Sequence, residues 1–345
     1  MERVGPALRG NEMRRTRGTA LRMAAQDGIA LVMVLWLTVL MTVIGGAFAF
    51  SMRNEALASR NAVSLARVRT VADGAIERVA FELLRPRTDA SWKADGTSHR
   101  WMDADLQVIA SARDETAKLD LNTGAEPLLK GLLTNVGGLD DATASALVDA
   151  IADWRDADEL RRPNGAEAGD YRSADSNYTP TNTPFETVGE LSRVLGVTPA
   201  LYASIAGALT VHSRQRGINP QTANRQTLLA IPGATAEMID DYIARRDETV
   251  LQDLPPPAFP PAQAYLAGAV PVWRVHAQVA APDGVTFVRE AVVRATADPR
   301  RPFYALLWSE GERPPPSEAP ASTAASTGAA APSSNPSKAS DARRS

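Results

Sequence analysis

The chain carries one uncharged apolar run, Ile29–Phe50, and this run limits the possible folds more than any other part of the sequence. A helix rises about 1.5 Å per residue, so these 22 residues are long enough to cross the hydrocarbon core of a bilayer, which is about 30 Å thick. Helices buried in soluble cores are usually shorter and partly polar. We therefore expect a transmembrane helix.

The charges that precede the run predict its orientation. Basic residues stay on the cytoplasmic side, so the N-terminus should lie in the cytoplasm and the bulk of the chain across the membrane. An ordinary secretory signal cleaved near Ala47 is the alternative, although the run is long for a signal core. The charged residues ahead of the run are Arg3, Arg9, Arg14, Arg15, Arg17 and Arg22, against Glu2, Glu12 and Asp27.

The apolar run merges into a polar stretch, Ser51–Leu84, in which apolar residues recur at helical spacing. We expect one long helix, apolar in its first half, amphipathic in its second half and ended by Pro86. Gly28 lies immediately before the run, on its cytoplasmic side. This arrangement resembles the class III signal and stem helix of type IV pilins and type II secretion pseudopilins.

The resemblance implies a processing site between Gly28 and Ile29, where a prepilin peptidase would cut and the new N-terminus would be methylated. Residues 1–28 would be the leader and residues 29–50 the single membrane span of a bacterial inner-membrane protein. Most pilins have glutamate at the fifth mature position, which is Met33 here. Lack of that glutamate is the mark of the K subunit among pseudopilins, so the chain resembles the GspK family.

Two stretches in the middle of the chain look alike, Leu119–Leu133 and Ile218–Gly233. Each opens a helix with threonine or asparagine, which are natural N-caps. The second continues through a Pro-Gly turn into another amphipathic helix, which is the form of a helix-hairpin-helix. Proteins of the GspK family contain such segments as packing units, and the resemblance implies the same role here.

A helix-hairpin-helix can also bind DNA, and a bitopic membrane protein with DNA-binding hairpins is the main alternative function. Phosphate binding needs lysine or arginine around the turn, yet Glu237, Asp240 and Asp241 follow it. The net charge of −3 supplies no general attraction to nucleic acid either. We therefore expect a structural hairpin and no nucleic-acid partner.

The segment between the two repeats is the most distinctive part of the sequence. Asp149–Tyr171 has the pattern DW-x-D-x-D followed by GAE and a tyrosine, and Pro184–Tyr202 contains P-F-x-x-V-x-E-L. This order resembles the GspK helical domain. The whole resemblance runs from Gly28 to about Trp308.

Six carboxylates lie between Asp153 and Asp170, in a loop that glycine and proline interrupt. Their spacing does not match the EF-hand, and alone it favours a solvated run paired with neighbouring arginines, although oxygen ligands on a flexible loop suit calcium. GspK-like helical domains bind calcium, so the resemblance implies a calcium cofactor. The expected ligands are Asp156, Asp158, Glu167 and Asp170.

Catalytic signatures are missing from the sequence. The chain has no cysteine and only three histidines, far apart, which argues against a thiol nucleophile or a histidine-built zinc centre. An exported calcium-dependent hydrolase, the second alternative, would need a catalytic constellation, and neither a Gly-x-Ser-x-Gly nor a Walker motif occurs. We do not expect an enzyme.

The end of the chain has the alternation of strands. Val270–Ala281 and Val285–Ala297 flank a Pro-Asp-Gly turn and predict an antiparallel hairpin, with Phe303–Trp308 as a possible third strand. Ser91–Ala112 shows similar alternation earlier in the chain. We expect these strands to form a sheet that packs on the amphipathic half of the stem helix.

The predicted fold is α+β: a long N-terminal transmembrane and stem helix, a pilin-like antiparallel sheet, and an inserted large all-helical domain containing helix-hairpin-helix-like repeats. The expected divisions after the membrane span are residues 51–113 (stem helix and early strands), 114–213 (inserted helical domain), 214–312 (second hairpin repeat and C-terminal strands) and 313–345 (a disordered tail rich in Pro, Ala and Ser).

The resemblance implies a structural function. The chain would be a minor pseudopilin that caps the tip of a periplasmic pseudopilus and supports protein export across the outer membrane. Its partners would be the I and J pseudopilins, with the prepilin peptidase as processing enzyme. Met33 would be tolerated because a tip subunit has no subunit above it to contact, and the bulky helical domain would block further growth.

Overall fold

The computed structural model describes residues 20–86, 91–252, 254, 257–259, 263–267 and 271–312. The predicted disordered tail, residues 313–345, and residues 1–19 of the predicted leader lie outside these ranges. Everything below concerns the described residues.

A single helix, α1 (Ala20–Leu84), contains the apolar run and the amphipathic stretch without interruption. It ends just before Pro86, as predicted, because proline has no amide hydrogen to donate and its ring disfavours a helical residue before it. Every residue from Ile29 to Val63 is exposed, and the buried positions begin at Ser64. Only the last third of α1, from Ser64 onward, therefore packs against the rest of the chain.

Five strands form one antiparallel sheet, in the order β1 (Asp95–Asp103), β2 (Leu106–Asp114), β5 (Val272–Ala280), β6 (Thr286–Ala295) and β7 (Phe303–Glu310). The early extended segment makes a hairpin, which a tight turn at Ala104-Asp105 divides into two strands. The predicted hairpin near the C-terminus is present, and Gly284 in its turn has φ +88°, a conformation that favours glycine.

The first hydrophobic core lies between α1 and this sheet, as the amphipathic pattern predicts. Arg289 on β6 donates to Asp73 at 2.6 Å, and Ser64 donates to Asp283 at 2.6 Å, so polar contacts fix the helix on the sheet as well. The sheet leaves β1 and β7 as its edges. The helix contributes Val68, Ala72, Ala75, Ile76, Val79 and Ala80 to this core, and the strands contribute among others Val108, Ala110, Val275, Ala277 and Val293.

The helical part of the chain lies between β2 and β5, which confirms an insertion into the sheet. Two helix pairs contain glycine turns with positive φ, at Gly138 (φ +71°) and Gly233 (φ +79°). A short parallel pair of two-residue strands joins the repeats. The elements are β3 (Leu119–Asp120), α2 (Glu126–Asn135), α3 (Asp141–Arg155), α4 (Ala168–Ser173), α5 (Pro199–Ile205), β4 (Leu209–Thr210), α6 (Arg225–Leu228) and α7 (Ala236–Leu251).

All of these helices share a second hydrophobic core. This core contains Ile218, Leu228 and Tyr242 of the second hairpin repeat together with Leu132 of the first repeat. It therefore extends beyond Ser213, where the predicted helical domain ends. The two repeats therefore share one core, and the division predicted at residue 214 does not follow the cores of the protein.

A buried ion pair joins the two cores. Glu115, directly after β2, is fully buried, and Arg274 on β5 donates to it at 2.7 Å. Lys118 lies 3.1 Å from the same carboxylate, and the hydroxyl of Thr210 on β4 also donates to it. Burial alone would raise the pKa of Glu115, but the hydrogen bond from Arg274 and the charges of Lys118 and Arg274 lower that pKa to about 2. The carboxylate therefore stays charged where helices and sheet meet.

Candidate functional site

The acidic loop runs from the end of α3 to the start of α4 and lies over an aromatic cluster. Trp154, the penultimate residue of α3, packs on Tyr171 of α4 with ring centroids 5.8 Å apart and on Phe185 at 6.2 Å. All three rings are buried. The Tyr171 hydroxyl accepts a hydrogen bond from the amide of Leu195 at 2.9 Å, which attaches the cluster to the next segment. The loop therefore rests on a rigid base.

Asp153 anchors the loop from below. Its carboxylate is fully buried and accepts the backbone amide of Arg162, with distances of 3.2 and 3.3 Å to its two oxygens. The Arg162 guanidinium lies 4.0 Å away. Gly165 passes so close that a Cβ there would lie 2.7 Å from the Cγ of Asp153 and closer still to its Oδ2. Only glycine leaves room for this carboxylate.

Two further carboxylates have buried oxygens that lack a hydrogen-bond partner among the described residues. Glu167 is 8% exposed, and neither of its carboxylate oxygens has a hydrogen-bond partner among the described residues. Oδ1 of Asp156 is likewise buried and unpartnered there. Burial raises the pKa of Glu167, and the charges of Asp153, Asp156, Glu159 and Asp158 raise it further. The pKa values of Asp153 and Asp156 are raised in the same direction, first by burial.

The four residues predicted as ligands therefore divide into two pairs. Asp156 and Glu167 have buried oxygens with no hydrogen-bond partner in the described part of the chain. Asp158 accepts the amide of Leu160 at 2.8 Å, although its charge still acts on the first pair. Asp170 pairs with Arg161 at 3.1 Å and accepts the amide of Glu167 at 3.0 Å, so it caps α4.

Asp153 lies deeper in the site than the sequence indicated. Asp153 is one of the six carboxylates that the sequence analysis places in the loop, but no local pattern distinguishes it from the exposed ones. Its burial depends on the return of the chain at Arg162 and Gly165, nine and twelve residues later. Within the described residues, no three His, Asp or Glu side chains are already gathered at metal-binding distance.

The donor chemistry of the loop fits a hard divalent cation. Buried carboxylate oxygens that lack hydrogen bonds carry a desolvation cost that a cation would remove, and oxygen-only ligands are those that calcium prefers. Asp156 and Glu167 would supply free oxygens, with Asp153 and Asp158 adjacent in charge. Calcium binding itself stays a prediction.

The predicted cleavage site lies inside a continuous helix. Both Gly28 and Ile29 belong to α1, and Ile29 is 60% exposed. Ile29–Leu84 contains a segment long and apolar enough to cross a membrane, none of it buried inside the chain. Packing therefore leaves this helix free for a bilayer or for other helices, and cleavage remains a prediction.

The cations near the second hairpin serve the protein's own groups. Arg225 makes a two-point contact with Asp240, at 2.6 and 3.1 Å. Arg245 pairs with Asp241 at 2.8 Å. Arg246 donates to the backbone carbonyls of Pro220 and Ala223 at 3.1 and 2.8 Å. This arrangement offers little to a DNA phosphate.

An apolar stem helix on an antiparallel sheet, with a helical insertion, is the architecture that the sequence analysis predicts for a pilin-like subunit. The family model of type II secretion system protein K matches residues 105–214, which include β2, the first helix pair and the acidic loop. The type II secretion system protein K of Klebsiella pneumoniae is 29% identical over 231 residues, which cover 59% of this chain and 69% of that protein.

A solved structure has the same fold. A chain in the crystal structure of the GspK-GspI-GspJ complex from the enterotoxigenic Escherichia coli type 2 secretion system aligns with a TM-score of 0.51. The alignment covers 76% of this chain and 99% of that chain at 15% identity. Both sequence comparisons therefore point to the type II secretion system protein K family over part of the chain, and the structural comparison shows the same fold.

Proposed function

We propose that the chain caps the tip of a periplasmic pseudopilus and supports export of proteins across the outer membrane. The observation that carries this proposal is Met33, 67% exposed in a helix that buries nothing within the chain from Ile29 to Val63. In pilin-like subunits, a glutamate at this position pairs with the N-terminal amine of a neighbour in the filament. A subunit without that glutamate can end a filament, where no neighbour lies above it.

The inserted helical domain supports the same role. Its core unites two hairpin repeats, and the buried pair Glu115–Arg274 connects it to the sheet. A rigid domain of this size on a stem would obstruct a further subunit above it. We take the role to be structural, because the described carboxylates with a raised pKa, Asp153, Asp156 and Glu167, share a loop that contains no serine, threonine, histidine or lysine.

We infer that the partners are the I and J pseudopilins, because the structural relative is a GspK-GspI-GspJ complex. A prepilin peptidase would cut between Gly28 and Ile29 and leave a methylated N-terminus. The N-terminus would face the cytoplasm and the sheet and helices would lie in the periplasm, anchored by the apolar half of α1.

Calcium is part of the proposed function. Asp156 and Glu167 would hold the ion with their unpartnered oxygens, with Asp153 and Asp158 beside them. The ion would supply positive charge to a cluster that burial makes costly. Bound calcium would thus keep the loop closed over Trp154 and Tyr171.

Immunogold labelling of pseudopili tests the tip position. Cells that overproduce the major pseudopilin together with the tagged chain should yield filaments labelled at one end only. Cells without the chain should lose secretion, and the wild-type gene should restore it. Label along the filament length would contradict the tip proposal.

A further inference from the structure

The acidic loop contains a positive charge of its own, the side chain of Arg162. Its guanidinium donates to Glu126 in the first turn of α2 at 2.8 Å. It also lies 3.6 Å from Asp149 and 4.0 Å from Asp153, both on α3. Carboxylates from two helices thus surround one guanidinium, whose side chain is 36% exposed, so water screens these contacts only in part.

Asp153 belongs to this group and also to the carboxylates proposed to surround calcium. Burial raises the pKa of Glu167, and the charge of Asp153 raises it further, so the two carboxylates are close neighbours. Burial likewise raises the pKa of Asp153, and the charge of Asp156 adds to that effect while the charge of Arg162 opposes it. Asp153 can therefore interact with the arginine or with an ion held by Asp156 and Glu167.

The other two arginines of the loop have different partners. Arg155 donates to the backbone carbonyl of Leu121, and Arg161 pairs with Asp170 at 3.1 Å. Within the described residues, the ion pair of Asp153 is with Arg162 and with neither of these two arginines. The countercharge of the buried carboxylate thus comes from one side chain.

The backbone and the side chain of Arg162 make separate contributions to the loop. The backbone amide donates to the two oxygens of Asp153 at 3.3 and 3.2 Å, a contact that any residue except proline could make at this position. The guanidinium, at 4.0 Å, is beyond hydrogen-bond distance and acts on Asp153 through its charge. A substitution of the side chain can therefore remove the charge and keep the loop anchored.

We propose that Arg162 sets the calcium affinity of the acidic loop by competing with the ion for Asp153. Without the ion, the guanidinium neutralises part of the charge of this carboxylate. With the ion bound, Asp153 would serve the ion, and Arg162 would keep its contacts with Glu126 and Asp149 while repelling the ion. The inference rests on the proposed function, because it requires that the loop binds calcium. It adds the residue that sets the affinity.

Calcium titration of the full-length chain in detergent, by isothermal titration calorimetry, tests this competition. Arg162→Gln removes a positive charge beside the ion and should tighten binding about tenfold, because the repulsion between two nearby cations disappears. Arg162→Lys keeps the charge and should bind within about twofold of the wild type. The matched control, Arg161→Gln, removes the same charge from the adjacent residue, which pairs with Asp170, and should change the affinity by less than about threefold.

Glu126 provides a test with the opposite sign. Glu126→Gln would release the Arg162 guanidinium from its partner at 2.8 Å and strengthen its interaction with Asp153. Calcium should then bind about threefold more weakly. In a chain that also carries Arg162→Gln, the same substitution should have a much smaller effect, because no guanidinium is left to redirect. An equal weakening in both backgrounds would contradict the competition.

Thermal melts of the same variants distinguish this role from a purely structural one. In chelator, Arg162→Gln should melt below the wild type, because the surrounding carboxylates lose their countercharge. Calcium should raise the melting temperature of this variant by more than it raises that of the wild type. Equal calcium affinities of the two proteins, or weaker binding by the variant, would overturn the inference and leave calcium binding standing. A wild type that binds no calcium would overturn both.

Discussion

At the scale of single residues, Glu167 is the most informative side chain, because it is buried and has no hydrogen-bond partner among the described residues. Its charged form is therefore the costly one, because burial and the neighbouring acidic charges raise its pKa. Glu167→Gln removes this charge at nearly constant volume. In chelator we expect the variant to be more stable than the wild type, by about 1–3 kcal/mol. In millimolar calcium the order should reverse, because the variant loses a ligand.

Thermal melts of the full-length chain in detergent, with chelator or with calcium, measure both effects. Glu186→Gln is the matched control, since Glu186 is an exposed acid of the same domain and should respond to calcium as the wild type does. A wild type that melts at the same temperature in both solutions would contradict the calcium proposal. A Glu167→Gln variant that is less stable in chelator would contradict the uncompensated charge.

Alanine substitutions at two glycines of the loop distinguish the effect of side-chain packing from the effect of helix propensity. Gly165→Ala would drive a methyl group into the buried carboxylate of Asp153, at a cost of about 1–3 kcal/mol in the free energy of unfolding. Gly169→Ala introduces the same methyl group in α4 with nothing within 4 Å, and the higher helix propensity of alanine should raise stability by up to about 1 kcal/mol. Urea unfolding of both variants compares them. Equal effects would mean that the loop does not close over Asp153.

At the scale of elements, the pair Glu115–Arg274 connects the strands to the helices. The pKa of Glu115 is lowered from 4.5 to about 2, so the folded protein gains about 3 kcal/mol that is fully present above pH 4.5. This contribution should disappear as the pH falls from 4.5 to 2. Glu115→Gln should be less stable than the wild type at pH 7, and its deficit should vanish near pH 2. Urea titrations across this range measure the difference, and a deficit that does not change with pH would contradict the ion pair.

The sequence predicts the elements with local periodicity well and the contacts between distant elements poorly. The stem helix and the hairpin at Gly284 follow from apolar spacing and a turn signal, and both are present. Glu115 and Arg274 are far apart in the chain, and no local pattern connects them. The same reason explains the burial of Asp153 and the shared core of the two hairpin repeats, since both depend on chain segments that return from a distance.

At the scale of the whole molecule, the chain has an exposed apolar half and a packed half. The packed half closes two cores of its own, one between α1 and the sheet and one among the helices. The exposed half of α1 has no such core, so its apolar side chains must find lipid or other helices. The proposed membrane anchor that later joins a filament would meet both needs with one helix.

The mature N-terminus tests this account most directly, because a prepilin peptidase would cut before the apolar run, whereas an ordinary signal peptidase would cut near its far end. Mass spectrometry of the chain co-expressed with a prepilin peptidase should find Ile29 as the first residue, with a methylated amine. Gly28→Phe should block the cut and leave the leader attached, whereas Gly28→Ala should be tolerated. A mature N-terminus near Ala47 in the wild type would show an ordinary signal peptidase at work and would contradict the pseudopilin account.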